Sequence, residues 1–496
     1  MLVLVGHDAS RRRRLDGWGF LGKSFPPSAE MLDWLRERLG APEPLPALDP
    51  AAVETPAPAE LPDLGCETAT DPLDRLAHSQ GRGLPDLLRL RSATVRRLPD
   101  AVARPADAAQ LETLLHTADR QGWRIIPWGG GTSVTGGVNP PPDPAPVITV
   151  DLGHLSGLDE LDETSGLATF GAGSTGPQIE AALTNRGWTL GHFPQSWELS
   201  TLGGWIATRS AGQESLGYGR IESLVAGLDL IAPSGRLSLP ALPASAAGPD
   251  LRQLALGSEG RLGVVTRATV RIRRRPAAQR VEAVLVPDWA TGAEAARALV
   301  QGSVPLSLLR LSDAAETQVA MTVGLKSRGW APLVRGWLRL RGIGESGCLL
   351  LLGANGSRDE VAHTFETTRT VLRHHGAVWL GSSPGRHWLA DRFRHPYLRD
   401  GLLDVGFATE TLETAAPWAR LDALYAAVGK ALREAAASGE RETPVLCHLS
   451  HPYRDGASLY FTFFFRCPRD PDEAIARWAR LKRRANDAIV AAGGTL

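Results

Sequence analysis

Pro127-Trp128-Gly129-Gly130-Gly131-Thr132-Ser133-Val134-Thr135-Gly136-Gly137 follows directly on Arg124-Ile125-Ile126, a short run that reads as a strand. Its five glycines leave main-chain N–H groups without Cβ shielding, so that they can converge on an anion. Thr132 and Ser133 add hydroxyl donors. A diphosphate is a natural guest, although an isolated G-G-G is explained as well by a plain turn. No G-K-S or G-K-T is present, which excludes a Walker loop, and no G-x-G-x-x-G falls inside, which excludes a Rossmann fingerprint.

Further along the chain lies Gly191-His192-Phe193-Pro194-Gln195-Ser196-Trp197-Glu198-Leu199-Ser200-Thr201, continuing as Leu202-Gly203-Gly204-Trp205-Ile206-Ala207-Thr208-Arg209-Ser210-Ala211-Gly212. Small residues dominate 201–212, which lets a flat aromatic cofactor lie against main chain; close helix–strand packing explains them too. A third segment, Gly257-Ser258-Glu259-Gly260-Arg261-Leu262-Gly263-Val264-Val265, runs into a strand. Alone it is a turn. The three together, in this order, point to one dinucleotide site.

Around them the pattern is α+β. Leu111, Leu114, Leu115 and Ala118 recur at helical spacing over 107–121, and a second helix covers 175–185 with Gly187 as its stop. Strands are expected at 124–127, 147–152, 167–170, 228–232 (before a P-S-G-R turn) and 263–272. Residues after about 276 form a second region, ending in an aromatic strand at 458–465 and a basic helix at 472–492. Proline density makes 41–63 an extended connector, 240–249 reads as a loop, and 381–385 as a turn cluster.

Length and composition set outer bounds. At 496 residues, with 43% hydrophobic and 22% charged, the chain is an ordinary multi-domain globular protein. Lys+Arg and Asp+Glu both number 54, so no basic surface for nucleic acid is expected. Cys66, Cys348, Cys447 and Cys467 form no C-x-x-C pair, and neither a disulfide scaffold nor a metal site is expected, even with His448 and His451 nearby. No apolar run suits a membrane span, and the first apolar residues precede Arg11-Arg12-Arg13-Arg14, the reverse of a signal peptide. A cytoplasmic protein is expected. The arginine run reads as a solvated arm, or as a weak attraction to anionic membrane.

The three segments resemble those of the vanillyl-alcohol-oxidase-type flavoproteins, and within them the alkyldihydroxyacetonephosphate synthase (alkylglycerone-phosphate synthase) family. Residues 127–137 are similar to the family's flavin diphosphate loop, 193–212 to its second FAD segment and 257–265 to its third. Trp18-Gly19, 85–91, 392–400, 410–414 with Trp418, and 450–461 extend the likeness over nearly the whole chain. The resemblance implies an α+β fold, with a two-subdomain FAD-binding domain of vanillyl-alcohol-oxidase type and an α+β cap domain. The organisation is then an N-terminal segment (1–95), an FAD-binding domain (96–275), a cap or substrate domain (276–480) and a C-terminal return segment (481–496).

The family's FAD contacts carry over to Pro127, Trp128, Gly129, Gly130, Gly131, Thr132 and Ser133. They carry over also to Gln195, Ser196, Trp197, Glu198, Leu199, Ser200, Thr201, Thr208, Arg209, Ser210 and Ala211, with Gln195 standing where an Asp is usual. The third set is Glu259, Gly260, Arg261, Leu262, Gly263, Val264 and Val265. No His or Cys in the glycine loop is placed to tether the flavin, so the FAD is expected to be non-covalent. Arg399 falls at the substrate-binding arginine, Tyr460 at the proton donor/acceptor and Arg310 at a further arginine needed for activity. On residue type alone, Tyr460 fits sheet packing and Arg399 an ion pair. A phenol used as a base needs positive neighbours to lower its ordinary pKa of about 10, and the fork of Arg suits a phosphate.

The implied reaction exchanges the acyl chain of acyl-dihydroxyacetone phosphate for a fatty alcohol, a transferase step of ether-lipid synthesis. Long-chain alcohol and acyl-dihydroxyacetone phosphate are the implied partners, with peripheral membrane contact and a homodimer. The family continues past G-G-T-L into a His-rich motif, whereas the sequence here stops at Leu496. Truncation, or a protein with lost or altered exchange, is the resulting expectation; His374-His375, expected in a cap helix, is a poor substitute. Two alternatives remain: an FAD-dependent oxidoreductase of a 2-hydroxy acid or alcohol, and an FAD-binding pseudoenzyme.

Overall fold

Asp107 starts the helix Ala108–Gln121 by accepting from the N–H groups of Ala109 and Gln110 at 2.8 and 2.9 Å. Leu111, Leu114, Leu115 and Ala118 bury its inner face, and Gly122 at φ 71° ends it in the left-handed region. The helix joins Ala101–Arg104 to Arg124–Trp128, and both pair in parallel with the fully buried strand Val147–Asp151. Val147, Ile148 and Val150 give the apolar run of a parallel strand covered on both faces, and Thr149 and Asp151 are buried polar members of it. With Glu67–Ala69 on the far edge they make a four-stranded sheet, and the glycine loop leaves the carboxyl end of Arg124–Trp128.

The computed structural model describes residues 13–45, 47–325, 331–435 and 440–496. Arg11 and Arg12 lie outside them. Contacts divide the chain into two units, one of residues 1–23 with 46–275 and the other of 24–45 with 276–496.

The first unit also holds an antiparallel five-stranded sheet, ordered Leu158–Asp162, Leu167–Gly171, Val264–Arg271, Val225–Ala232, Gly235–Leu239. The P-S-G-R turn closes its last hairpin, with Ala232 opposite Gly235. Val264 and Val265 point to opposite faces and enter separate cores, one with Leu111 and Leu114, the other with Trp205 and Ile206.

The second unit is built on a seven-stranded antiparallel sheet: Val378–Gly381, Ala278–Val286, Cys348–Gly356, Leu308–Ser312, Val445–Ser450, Gly456–Arg466, Phe407–Pro417. Phe461, Phe463, Phe464 and Phe465 of Gly456–Arg466 are all buried, so this strand is covered on both faces. On one side Phe464 packs with Met31, Leu35 and Leu39 of the helix Ala29–Leu39. On the other, Phe461 meets Tyr425 of the helix Trp418–Arg433. The basic helix spans Pro471–Ala491.

Two local expectations change. Pro384 and Gly385 belong to the first turn of the helix Ser383–Asp391, because proline is tolerated there and a Cβ at 385 would overlap the Val281 carbonyl. His374 and His375 form a 3-10 turn after the helix Arg358–Leu372, before Gly376 at φ 62°.

Candidate functional site

In the first unit the three glycine-rich segments converge. A Cβ at Gly129 would overlap the Thr201 hydroxyl, and one at Gly130 the Leu199 carbonyl. Gly131, at φ 60°, packs on the Trp128 indole. The glycine loop is thus pressed on the main chain of Leu199, Ser200 and Thr201, at a distance only glycine permits. Thr201 caps the helix Leu202–Thr208 through Gly204 N–H, and Ser200 accepts from the Trp205 indole at 2.7 Å.

The third segment closes on the other two. Gly257 N–H and Glu259 N–H donate to Ile206 and Ala207 carbonyls, each at 3.0 Å, and Gly260, at φ 79°, lies against Pro127. Leu262 is 53% exposed, Arg261 and Thr208 are also exposed, and Val264 and Val265 pair with Ile231 and Leu230 in the sheet and send their side chains into the cores. Arg209 takes the left-handed conformation that ends its helix, at φ 52°. Ser210 is 3.1 Å from Nε2 of buried His192, and Ala211 follows it. Gln195, Ser196 and Trp197 form a partly buried turn beside them, with the Ser196 hydroxyl donating to Ser200.

Sequence reasoning missed what steadies this cradle. Arg13 donates to the Gly130 carbonyl at 2.5 Å, and Lys23 pairs with Glu198 at 2.6 Å. Glu180 accepts from the N–H groups of Leu190 and Gly191 and from the Thr189 hydroxyl, fixing the approach to the second segment. Lys23 and Glu180 have no local pattern in the sequence, and Arg13 corrects the reading of its arginine run as a solvated arm, since it is partly buried on the glycine loop. The small-residue floor, the glycine main chain and the Thr132 and Ser133 hydroxyls fit an FAD diphosphate; the buried Trp128 indole N–H has no hydrogen-bond partner.

In the second unit Arg310 and Tyr460 meet around His448. Tyr460 is opposite His448 across two strands, and their rings stack at 4.9 Å with an interplanar angle of 19°. Arg310 donates to His448 Nδ1 at 3.1 Å and to Glu316 at 2.7 Å. Glu316 also lies 3.3 Å from His448 Nδ1. Burial, then Arg310, hold the His448 imidazole below its ordinary value, against Glu316. The Glu316 carboxyl is held well below its range: burial opposes this, but Arg310 and His448 prevail.

Contrary to the expectation of a lowered phenol, burial pushes Tyr460 up to about 12, with Glu413 and Glu410 adding to it. The Thr411 hydroxyl and Arg310 pull the other way without prevailing. Arg399 lies on the helix His395–Asp404, its Nε 3.7 Å from Asp400. That helix packs through Leu398 and Leu402 against Leu446 and Phe464, on the strands that carry His448 and Tyr460. Among the described residues no cluster of His, Cys, Asp and Glu suits a metal.

Comparison with known proteins accords with both halves. Residues 99–238 match the FAD binding domain model and 275–496 the C-terminal domain of FAD linked oxidases. The alkyldihydroxyacetonephosphate synthase of Caenorhabditis elegans is 33% identical over 85% of this chain and 72% of its own length. That of Dictyostelium discoideum is 30% identical over 88% and 72%.

The chain belongs to the alkyldihydroxyacetonephosphate synthase family.

It is accordingly a flavoenzyme that uses FAD, of the α+β, vanillyl-alcohol-oxidase type. A solved alkyldihydroxyacetonephosphate synthase superposes with a TM-score of 0.85 at 27% identity, over 98% of this chain and 94% of that one. p-Cresol methylhydroxylase, at 13% identity and a TM-score of 0.64 over 86% and 85%, shares the fold.

Proposed function

We propose that the chain exchanges the acyl chain of acyl-dihydroxyacetone phosphate for a fatty alcohol, releasing a fatty acid and forming alkyl-dihydroxyacetone phosphate. What carries the reading is the likeness to the synthases, which runs through both units at up to 33% identity. FAD is held non-covalently by the main chain of residues 129–133, 199–201 and 259–263. Bound FAD supplies an electron-accepting ring that ends the cycle in its starting oxidation state. Arg399 binds the substrate phosphate through its fork. A phenol raised to about 12 is protonated at neutral pH, so Tyr460 starts as a donor and becomes the acceptor once that proton has left. Arg310 offsets the charge that Tyr460 then carries.

The same reading includes a cytoplasmic homodimer in peripheral contact with a membrane. No helix among the described residues is long and apolar enough to cross one. The helix Ala331–Leu340 supports surface contact: Leu333, Trp337 and Leu340 recur at helical spacing and are 77%, 46% and 88% exposed.

The test is to supply FAD-loaded protein with acyl-dihydroxyacetone phosphate and a labelled fatty alcohol, with no electron acceptor. Labelled alkyl product and an equal amount of free fatty acid are expected. Turnover of a 2-hydroxy acid that requires a dye acceptor, without exchange, would replace this reading by the oxidoreductase one.

A further inference from the structure

Asp313 accepts from the Glu316 N–H at 2.8 Å, which fixes the first turn of the helix Ala314–Leu325 and with it the start of the Glu316 side chain. The carboxylate then reaches two groups on two neighbouring strands. Its Oε1 accepts from Arg310 at 2.7 Å and lies 3.3 Å from His448 Nδ1. Arg310 and Glu316 are only 14% and 17% exposed, so solvent screens this pair weakly. Without the carboxylate the guanidinium would stand uncompensated, one ring away from the Tyr460 phenol.

We propose that Glu316 is a positioning residue for the exchange, holding Arg310 against His448 and so fixing the surroundings of the Tyr460 hydroxyl. This rests on the exchange reading for its consequence in turnover, but not for the geometry. A buried ion pair kept only for stability would need no stacked His448 and no tyrosine beyond it. Here the three strands and the helix bring the groups into one chain of contact. The groups around His448 are Arg310 from Leu308–Ser312, Tyr460 from Gly456–Arg466, Glu316 from Ala314–Leu325, and His395, which interacts electrostatically with it from His395–Asp404. Arg310 and Glu316 oppose each other in setting its protonation, so removing the acidic member has a defined sign.

The experiment uses the full chain with Glu316→Gln, which keeps the volume and removes the charge. The titration of His448 is followed by imidazole 15N NMR, its signal among the twelve histidines identified from His448→Phe. The His448 midpoint should fall by about one pH unit or more. In the exchange assay, kcat should fall about tenfold while KM for acyl-dihydroxyacetone phosphate changes less than about threefold. An unmoved His448 midpoint overturns the proposal, and so does unchanged kcat in a variant whose midpoint has moved. A wild type without exchange overturns the functional reading instead, and the midpoint alone then decides whether Glu316 holds this cluster. Should Glu316→Gln not fold, Glu316→Asp, which withdraws the charge by one methylene, is measured for a fall of the same sign.

Discussion

Gly130 and Tyr460 differ in how they fail. Gly130 has no room for any side chain, because a Cβ would overlap the Leu199 carbonyl. In the proposed FAD site, Gly130→Asp also adds a carboxylate beside the diphosphate. The purified variant should be colourless, with FAD affinity at least about 100-fold weaker by fluorescence titration. Tyr460 sits in a sheet that phenylalanine already fills, so Tyr460→Phe should keep the yellow colour and fold. Its exchange rate should fall by about 100-fold or more; a rate within twofold of wild type removes Tyr460 from proton transfer. The two residues were also unequally legible. Glycines declare a close backbone approach in the sequence itself. The raised phenol does not, because Glu410 and Glu413 come from one neighbouring strand and His448 from another, and no local pattern sets the register of either against Tyr460.

Elements are joined in the first unit by one buried network. His78, at the end of the helix Pro72–Ala77, bridges Asp74 and, through Nε2 at 3.3 Å, Asp151 of Val147–Asp151; Arg104 of Ala101–Arg104 pairs with Asp74 at 2.6 Å. Burial opposes charge on His78, but Asp151 and Asp74 raise it to about 9. Against an unfolded value of about 6.5, its stabilisation is complete below that pH and is lost as pH rises through about 9. Asp74 and Asp151 are lowered, against burial, by His78 and Arg104, so their share is present above their ordinary value of 3.8 and lost in acid. His78→Gln should cost about 3–5 kcal/mol near pH 6 and flatten the alkaline fall of Tm between pH 7 and about 9, followed by scanning calorimetry. The helix Ala331–Leu340 makes a different prediction. Leu333→Glu with Leu340→Glu should cut co-sedimentation with vesicles containing anionic lipid severalfold without lowering Tm, since Val334 and Leu338 supply its packing. Caps and periodicity foretold Ala108–Gln121, and P-S-G-R foretold its hairpin. The helix Ala314–Leu325 escaped notice because its apolar residues are spread around it, with no stripe to read.

At the scale of the molecule, the chain does not give its two units one block each. The first uses residues on both sides of 24–45, and that short stretch belongs with 276–496. A boundary near 276 is visible in the sequence as a change of pattern, but the membership of 24–45 is not, since the partners of Met31, Leu35 and Leu39 are Leu402, Phe407, Leu446 and Phe464. The proline-rich 41–63 is the outward sign of the crossing, and among its described residues it holds only the single 3-10 turn Pro50–Ala52 as helix. A piece beginning at 276 should therefore expose the apolar floor left by Met31, Leu35 and Leu39 and aggregate, whereas adding a peptide of residues 24–45 should restore a cooperative melt. On the ribosome the order of events is fixed. The helix Ala29–Leu39 emerges early, and the phenylalanine strand that covers it is made several hundred residues later. Throughout that interval the nascent polypeptide carries the stripe of Met31, Leu35 and Leu39 without its cover, so a chain released before the phenylalanine strand is made should aggregate.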